Sequence, residues 1–207
     1  MLDEAGFTKT RIVASNDLEE NLITSLKQQG ARIDTWGVGT QLVTAYNQAA
    51  LGGVYKLAAL RKADDSGWEY TIKLSEQVAK TSIPGILQIR RYLNEYGKPR
   101  ADMLYNTAEN LPNHLMLVDP ADSTRRLPIR PGTPFRELLE PVFRGGQRVL
   151  DLPTLAESRA HAQREVQSLD PGVRRFLNPH IFPVGLEMGL YESRTSLILE
   201  KRPMRSA

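Results

Sequence analysis

Along the first third of the chain, short apolar runs alternate with apolar residues at helical spacing. Arg11-Ile12-Val13-Ala14-Ser15 carries two β-branched residues and reads as a strand. Leu18, Leu22, Ile23 and Leu26 then form one apolar stripe, which predicts a helix closed by Gly30. Asn16-Asp17 stands where that helix would be capped, with Asp17 and Glu20 at capping-box spacing. A second unit follows at once, with a strand over 31–36, a loop over 37–40 and a short helix over 41–46. Ahead of both, residues 2–7 read as the last turn of a helix with Gly6 at its cap, so the chain reads as starting within an element. Two strand-to-helix units with brief connections predict parallel strands covered by helices. Ligands of such sheets collect at the C-terminal ends of the strands.

The rhythm changes after residue 60, which divides the sequence into an α/β region over 1–60 and a β-rich and helical region over 61–207. Beyond Gly52-Gly53, residues 54–60 and 68–74 read as strands joined by the hairpin turn Asp64-Asp65-Ser66-Gly67. Residues 87–93 and 114–118 are further strands, and together they predict a small antiparallel sheet. Residues 121–134, rich in proline and arginine, read as an irregular connector. A second hairpin is expected over 141–150, turning at Arg144-Gly145-Gly146. A helix over 154–169 follows, opened by a Thr154/Glu157 capping box and ended by Pro171-Gly172. After a proline-rich turn at Asn178-Pro179-His180, one ordered segment runs to Lys201 with no clear period. The pattern assigns residues 101–153 no role beyond scaffold.

Composition narrows the function classes. With 207 residues, 41% hydrophobic and 25% charged, the chain is that of an ordinary globular protein. The 27 Lys and Arg against 24 Asp and Glu leave a net charge of only +3, and no block of like charge gives electrostatic support to nucleic acid or a membrane surface as partner. Without cysteine there are no disulfides, thiolate nucleophiles or Cys-ligated zinc, and with no apolar signal segment at the N-terminus a cytoplasmic location is expected.

The candidate chemistry lies at the two strand ends. Ile33-Asp34-Thr35-Trp36-Gly37-Val38-Gly39-Thr40 runs from a strand through two glycines into a helix start, an arrangement that leaves backbone N–H groups aimed at a phosphate. Gly37, Val38, Gly39 and Thr40 are the candidate phosphate cradle; by itself Gly-x-Gly also reads as a tight turn without a ligand. The third glycine of the dinucleotide fingerprint is missing, and no Gly-Lys-Ser/Thr forms a nucleotide loop. Ser15, Asn16 and Asp17 at the preceding strand end could meet sugar hydroxyls or simply cap the helix. Trp36 reads as packing beneath the loop. His114, His161 and His180 lack metal-ligand spacing, so no metal site is expected. The arginine pairs 90/91, 125/126 and 174/175 read as ion-paired or solvated surface.

Five segments resemble, in order, the motifs of the nicotinate phosphoribosyltransferase family. They are Ile12-Val13-Ala14-Ser15-Asn16-Asp17-Leu18, the stretch from Ile33 to Thr40, Leu51-Gly52-Gly53-Val54-Tyr55-Lys56-Leu57, Lys80-Thr81-Ser82-Ile83-Pro84-Gly85 and Asn178-Pro179-His180-Ile181-Phe182-Pro183-Val184-Gly185-Leu186. The last two are similar to motifs of bacterial members. The resemblance implies transfer of a phosphoribosyl group from phosphoribosyl pyrophosphate to nicotinate for NAD synthesis. ATP and Mg2+ would be co-substrates, with no tightly bound cofactor. It implies the C-terminal part of an irregular α/β, TIM-like barrel, followed by a small antiparallel β-rich and helical region. Gly37, Gly39 and Thr40 would hold the 5′-phosphate, with Ser15, Asn16 and Asp17 near the ribose. A closed barrel takes about 250 residues, and family chains are roughly twice as long as this one. The early strands, the nicotinate-binding arginines and the phosphate-accepting histidine are therefore expected in a missing N-terminal half, and none of the three histidines here is assigned that role. The complete enzyme would be a homodimer. A nicotinamide or quinolinate phosphoribosyltransferase, and a non-catalytic phosphosugar-binding or assembly module, are the alternatives.

Overall fold

The computed structural model describes residues 1–50, 53–63, 67–75 and 80–202. Two compact units, Met1–Tyr55 and Lys56–Ala207, divide the chain. In the first, strand β1 (Val13–Ser15) pairs in parallel with β2 (Thr35–Gly37), and helix α1 (Glu20–Gln28) makes the crossover between them. Helix α2 (Thr40–Val43) follows β2. Both strand-to-helix units form, with shorter elements than the apolar pattern predicts. The early part of the second strand is replaced by a side-chain bridge: the Ile12 N–H donates to Asp34 Oδ2 at 2.9 Å, and the Asp34 and Thr35 N–H groups both donate to the Ile12 carbonyl.

The helix ends as expected and starts elsewhere. Ala31 N–H donates to the Leu26 carbonyl and Gly30 N–H to that of Lys27, with Gly30 at φ +76, which closes α1 in a Schellman pattern. The same pattern at Gly6 closes the turn over residues 2–6. The expected Asp17/Glu20 capping box does not form. The N-cap is Glu19, whose carboxylate accepts from the Asn21 and Leu22 N–H groups, and those bonds, Asn21 first, hold its carboxyl below the usual value. Asn16 and Asp17 lie before the helix at φ +90 and +46, backbone that is incompatible with an N-cap.

The second unit is built on a six-stranded mixed sheet, which corrects the expectation of a small antiparallel one. Its strands are β5 (Leu87–Leu93), β6 (Pro99–Asn106), β7 (Leu115–Val118), β8 (Arg126–Ile129), β9 (Phe135–Glu137) and β12 (Val184–Glu187), in the order β8-β7-β12-β6-β5-β9. One pair, β12 with β6, is parallel. The hairpin β3 (Ala59–Arg61) with β4 (Trp68–Tyr70) forms separately, its turn lying partly at 64–66, outside the described residues. The hairpin β10 (Phe143–Arg144) with β11 (Gln147–Arg148) turns at Gly145-Gly146 as predicted, both glycines at positive φ. The expected connector over 121–134 contains β8, whose Pro128 is tolerated because β8 is an edge strand.

Strand β6 is the centre of the core, and the apolar pattern misses it. Ala101 and Met103 are fully buried with Tyr92, Leu117 and Ile129, while the alternate Asp102 and Asn106 are buried and polar. Partners elsewhere satisfy both. Arg91 grips Asp102 through two bonds of 2.8 and 2.7 Å and donates to Glu165 at 2.7 Å. Glu165 also accepts from Arg136, the main cause of its lowered pKa, and so ties helix α3 (Leu155–Ser168) to the sheet. Arg90 stacks on Tyr105 and Phe135 with ring-centroid distances of 4.6 and 4.3 Å and pairs with Glu137.

The predicted capping box at α3 is present: Thr154 Oγ1 accepts from the Glu157 N–H, and the Glu157 carboxylate accepts from the Thr154 N–H at 2.8 Å. Thr154→Ala should cost about 1 kcal/mol, read as faster amide exchange in the first turn of α3. Unchanged exchange there would remove the cap from the account of this helix. Pro171-Gly172 opens a further short helix, α4 (Pro171–Arg174), capped by Asp170, in place of the expected simple stop. The segment without a clear period is β12 followed by helix α5 (Met188–Lys201), with Glu187 as its N-cap.

Candidate functional site

In the first unit the two candidate loops leave the same end of the parallel pair. Ser15, the last residue of β1, stands in register with Gly37, the last residue of β2. Asn16 and Asp17 turn away from β1 through positive φ, and Val38 and Gly39 lead from β2 into α2 at Thr40. Strand pairing thereby sets Ser15 beside Gly37, so that the loops through Asn16 and Asp17 and through Val38, Gly39 and Thr40 leave the sheet from the same end. Parallel strands joined by a helical crossover must run the same way, so their C-terminal ends coincide.

The glycines act by a different route from the one their type suggests. Neither Gly37 nor Gly39 has a positive φ. Gly37 is set by close approach: a Cβ there would lie 3.2 Å from the Ser15 Cβ and 3.6 Å from the Ala14 carbonyl oxygen. Gly39 has open space where a Cβ would project and is the N-cap of α2 with no side chain capping it. The N–H groups of Gly39 and Thr40 have no hydrogen-bond acceptor in the protein among the described residues. Two exposed donors in succession at a helix start are what a phosphate oxygen requires. Trp36 is half-buried at the middle of β2.

A cavity of about 440 Å³ adjoins this loop, lined by Leu18, Ile23, Val38, Gln41 and Tyr46 among others. The side-chain oxygen of Gln41 is buried in this region without a hydrogen-bond partner. The role of Asp34, which bridges the two strands ahead of the loops, is missed by sequence reasoning. The signal available was a carboxylate two residues before a strand centre.

Five of the six candidate arginines have structural partners. Among the described residues no group of three or more His, Asp or Glu is arranged to hold a metal ion. Arg90 and Arg91 belong to the sheet network, Arg125 pairs with Asp122 at 3.5 Å, Arg126 donates to the Ser123 carbonyl and Arg175 to that of Asn178. Leu51 and Gly52 lie outside the described residues. Within the Lys80 to Gly85 motif, Ser82 exchanges bonds with Lys73 and Gly85 sits at φ +103 against Asn106. The motif ending at Leu186 supplies β12. No helix among the described residues is long and apolar enough to cross a membrane.

These features define an α/β protein with a mixed sheet in its second unit and, in its first, a parallel strand pair with polar loops at the strand ends, the end at which open α/β sheets place their ligands. The chain belongs to the nicotinate phosphoribosyltransferase family. Residues 87–194 match the family model described as the nicotinate phosphoribosyltransferase C-terminal domain. The nicotinate phosphoribosyltransferase of Bacillus subtilis is 35% identical over 205 residues, covering 97% of this chain and 41% of its own length. That of Homo sapiens is 34% identical over 194 residues, covering 93% and 35%. The crystal structure of human nicotinic acid phosphoribosyltransferase aligns with a TM-score of 0.57 at 28% identity, over 95% of this chain and 36% of that one. The chain thus spans well under half the length of these relatives.

Proposed function

We propose that this chain supplies the phosphoribosyl side of a nicotinate phosphoribosyltransferase site. In that reaction the bond from the ribosyl C1 to pyrophosphate breaks and a bond from C1 to the nicotinate ring nitrogen forms, giving nicotinate mononucleotide for NAD synthesis. ATP, with Mg2+, is the co-substrate whose hydrolysis to ADP and phosphate is coupled to the transfer. The N–H groups of Gly39 and Thr40 hold the 5′-phosphate, Gly37 and Val38 carry the backbone to it, and Ser15, Asn16 and Asp17 face the ribose. The observation that carries this reading is the register of Ser15 with Gly37, which sets the two polar loops side by side. The first unit then forms the last strands of an irregular TIM-like barrel, completed by an N-terminal segment that brings the remaining nicotinate- and ATP-handling groups. The working enzyme is a cytoplasmic homodimer.

Gly39→Val tests the phosphate assignment cleanly, because a Cβ at this position meets no protein atom within 4 Å. In the chain assembled with the N-terminal segment, the variant should melt within about 2 °C of the parent, the scale of a surface change. It should bind phosphoribosyl pyrophosphate on the order of a hundredfold more weakly, the worth of one or two charge-assisted hydrogen bonds. Equal affinity by calorimetry would take Gly39 out of the site.

A further inference from the structure

We propose that helix α3 is a strap closed by one carboxylate: it lifts from the six-stranded sheet as a unit when Glu165 lets go, while the sheet beneath stays folded. The proposal stands apart from the phosphoribosyl reading. No residue of α3 is buried, and its Leu155 and Val166 are 87% and 55% exposed. Apolar packing therefore contributes little to holding it. Among the described residues, the Glu165 carboxylate makes the only hydrogen bonds and ion pairs that join α3 to any other element.

The sheet side of the clasp is a pair of like charges. Arg91 of β5 and Arg136 of β9 stand directly opposite each other in the strand register, so both belong to the same face. Charges so placed repel unless anions lie between them. Asp102 of β6 answers Arg91 through two bonds, and one oxygen of Glu165, Oε2, accepts from Arg91 at 2.7 Å and from Arg136 as well. The Phe182 ring lies 5.8 Å from the Arg91 guanidinium. Arg136 first, then Arg91, holds the Glu165 carboxyl below its ordinary value against the upward pull of partial burial, and His161, one turn earlier in α3, acts in the same direction. The clasp is thus complete above the ordinary carboxylate range and is lost as pH falls through the lowered folded value.

Release costs the sheet little. Arg91 keeps Asp102, so no buried charge is left alone, and Arg136, with its side chain 45% exposed, passes to water. For α3 the consequence is larger, because a free helix of 14 residues is marginal in water. Once lifted it melts, and its amides exchange together. An element held this way opens well below the global stability of its domain.

Hydrogen exchange of the 207-residue chain, followed by mass spectrometry, reads α3, β6 and β12 in separate peptides even where the protein self-associates. At pH 7 the parent's α3 amides should exchange faster than those of β6 and β12. Glu165→Gln, which keeps nearly the same helix propensity, should speed α3 on the order of tenfold or more, the worth of one charge-assisted hydrogen bond, with β6 and β12 at the parental rate. As pH falls below about 4, through the carboxylate range, the difference between parent and variant should close once intrinsic rates are corrected for, since Glu157 at the cap titrates alike in both. If Glu165→Gln fails to fold, Arg136→Gln carries the test with a smaller acceleration. Exchange of α3 at the sheet's rate in the parent, parental α3 exchange in the folded variant, or α3 and sheet accelerated together would each overturn the proposal.

Discussion

Gly185→Ala should destabilise the six-stranded sheet by about 3 kcal/mol, at the upper end of what overpacking one methyl group costs, and lower its melting point by roughly 10 °C. Gly185 lies in β12, which is inserted between β6 and β7 and pairs with both. A Cβ at this position would strike the Leu117 side chain and lie 2.5 Å from the Val118 carbonyl oxygen. The leucine could move, but the carbonyl belongs to a buried neighbouring strand and cannot retreat without breaking the sheet. Gly53→Ala is the matched control, since a Cβ there meets nothing within 4 Å, and it should stay within about 0.5 kcal/mol of the parent. Pulse proteolysis at low micromolar concentration reads both variants. A Gly185→Ala chain as resistant as the control would show that β12 is not held this tightly.

Alone, the 207-residue chain should self-associate and form no nicotinate mononucleotide. Adding the segment of the Bacillus subtilis relative that lies outside the matched region should restore turnover. The reason is the first unit's surface. Parallel sheets are stable when both faces are covered, yet here the pair has only two strands. Leu18, at 4% exposure, is the one buried large apolar residue among the described residues of this unit. Val13 is exposed, as are Leu42 and Tyr46, while Val43 and Tyr55 reach 84% and 99%. Such edges and faces pair with whatever they meet. Catalysis fails for a separate reason: charge developing at the transferring ribosyl centre needs groups converging from several strand ends. Light scattering and a product assay against a no-enzyme control check both halves. A compact monomer that makes product unaided would sink the proposed division of labour.

The local sequence was enough wherever structure depends on neighbours a few residues apart. The Thr154/Glu157 box, the Gly30 helix stop and the Gly145-Gly146 hairpin follow from spacing because each is made by bonds within a few residues, and the strand over 87–93 follows from its run of strand-forming residues. The pairing of the two candidate loops was legible for the same reason: a short βαβ connection leaves the strands little choice of direction.

Tertiary structure decided what distant residues decide. Strand β6 looks unlike a core strand because Asp102 and Asn106 interrupt it, and Arg91, eleven residues earlier, the backbone of Ile86, twenty earlier, and the Tyr70 hydroxyl make those polar groups tolerable inside. Helix α1 takes Glu19 as its cap because Asn16 and Asp17 are committed to positive φ where the chain leaves β1. Gly185 appears as one more glycine until β7 is beside it. The cavity at the start of α5 joins residues from positions 70 to 193. No window of sequence contains such a cavity, since burial is a property of the folded neighbourhood rather than of any residue type.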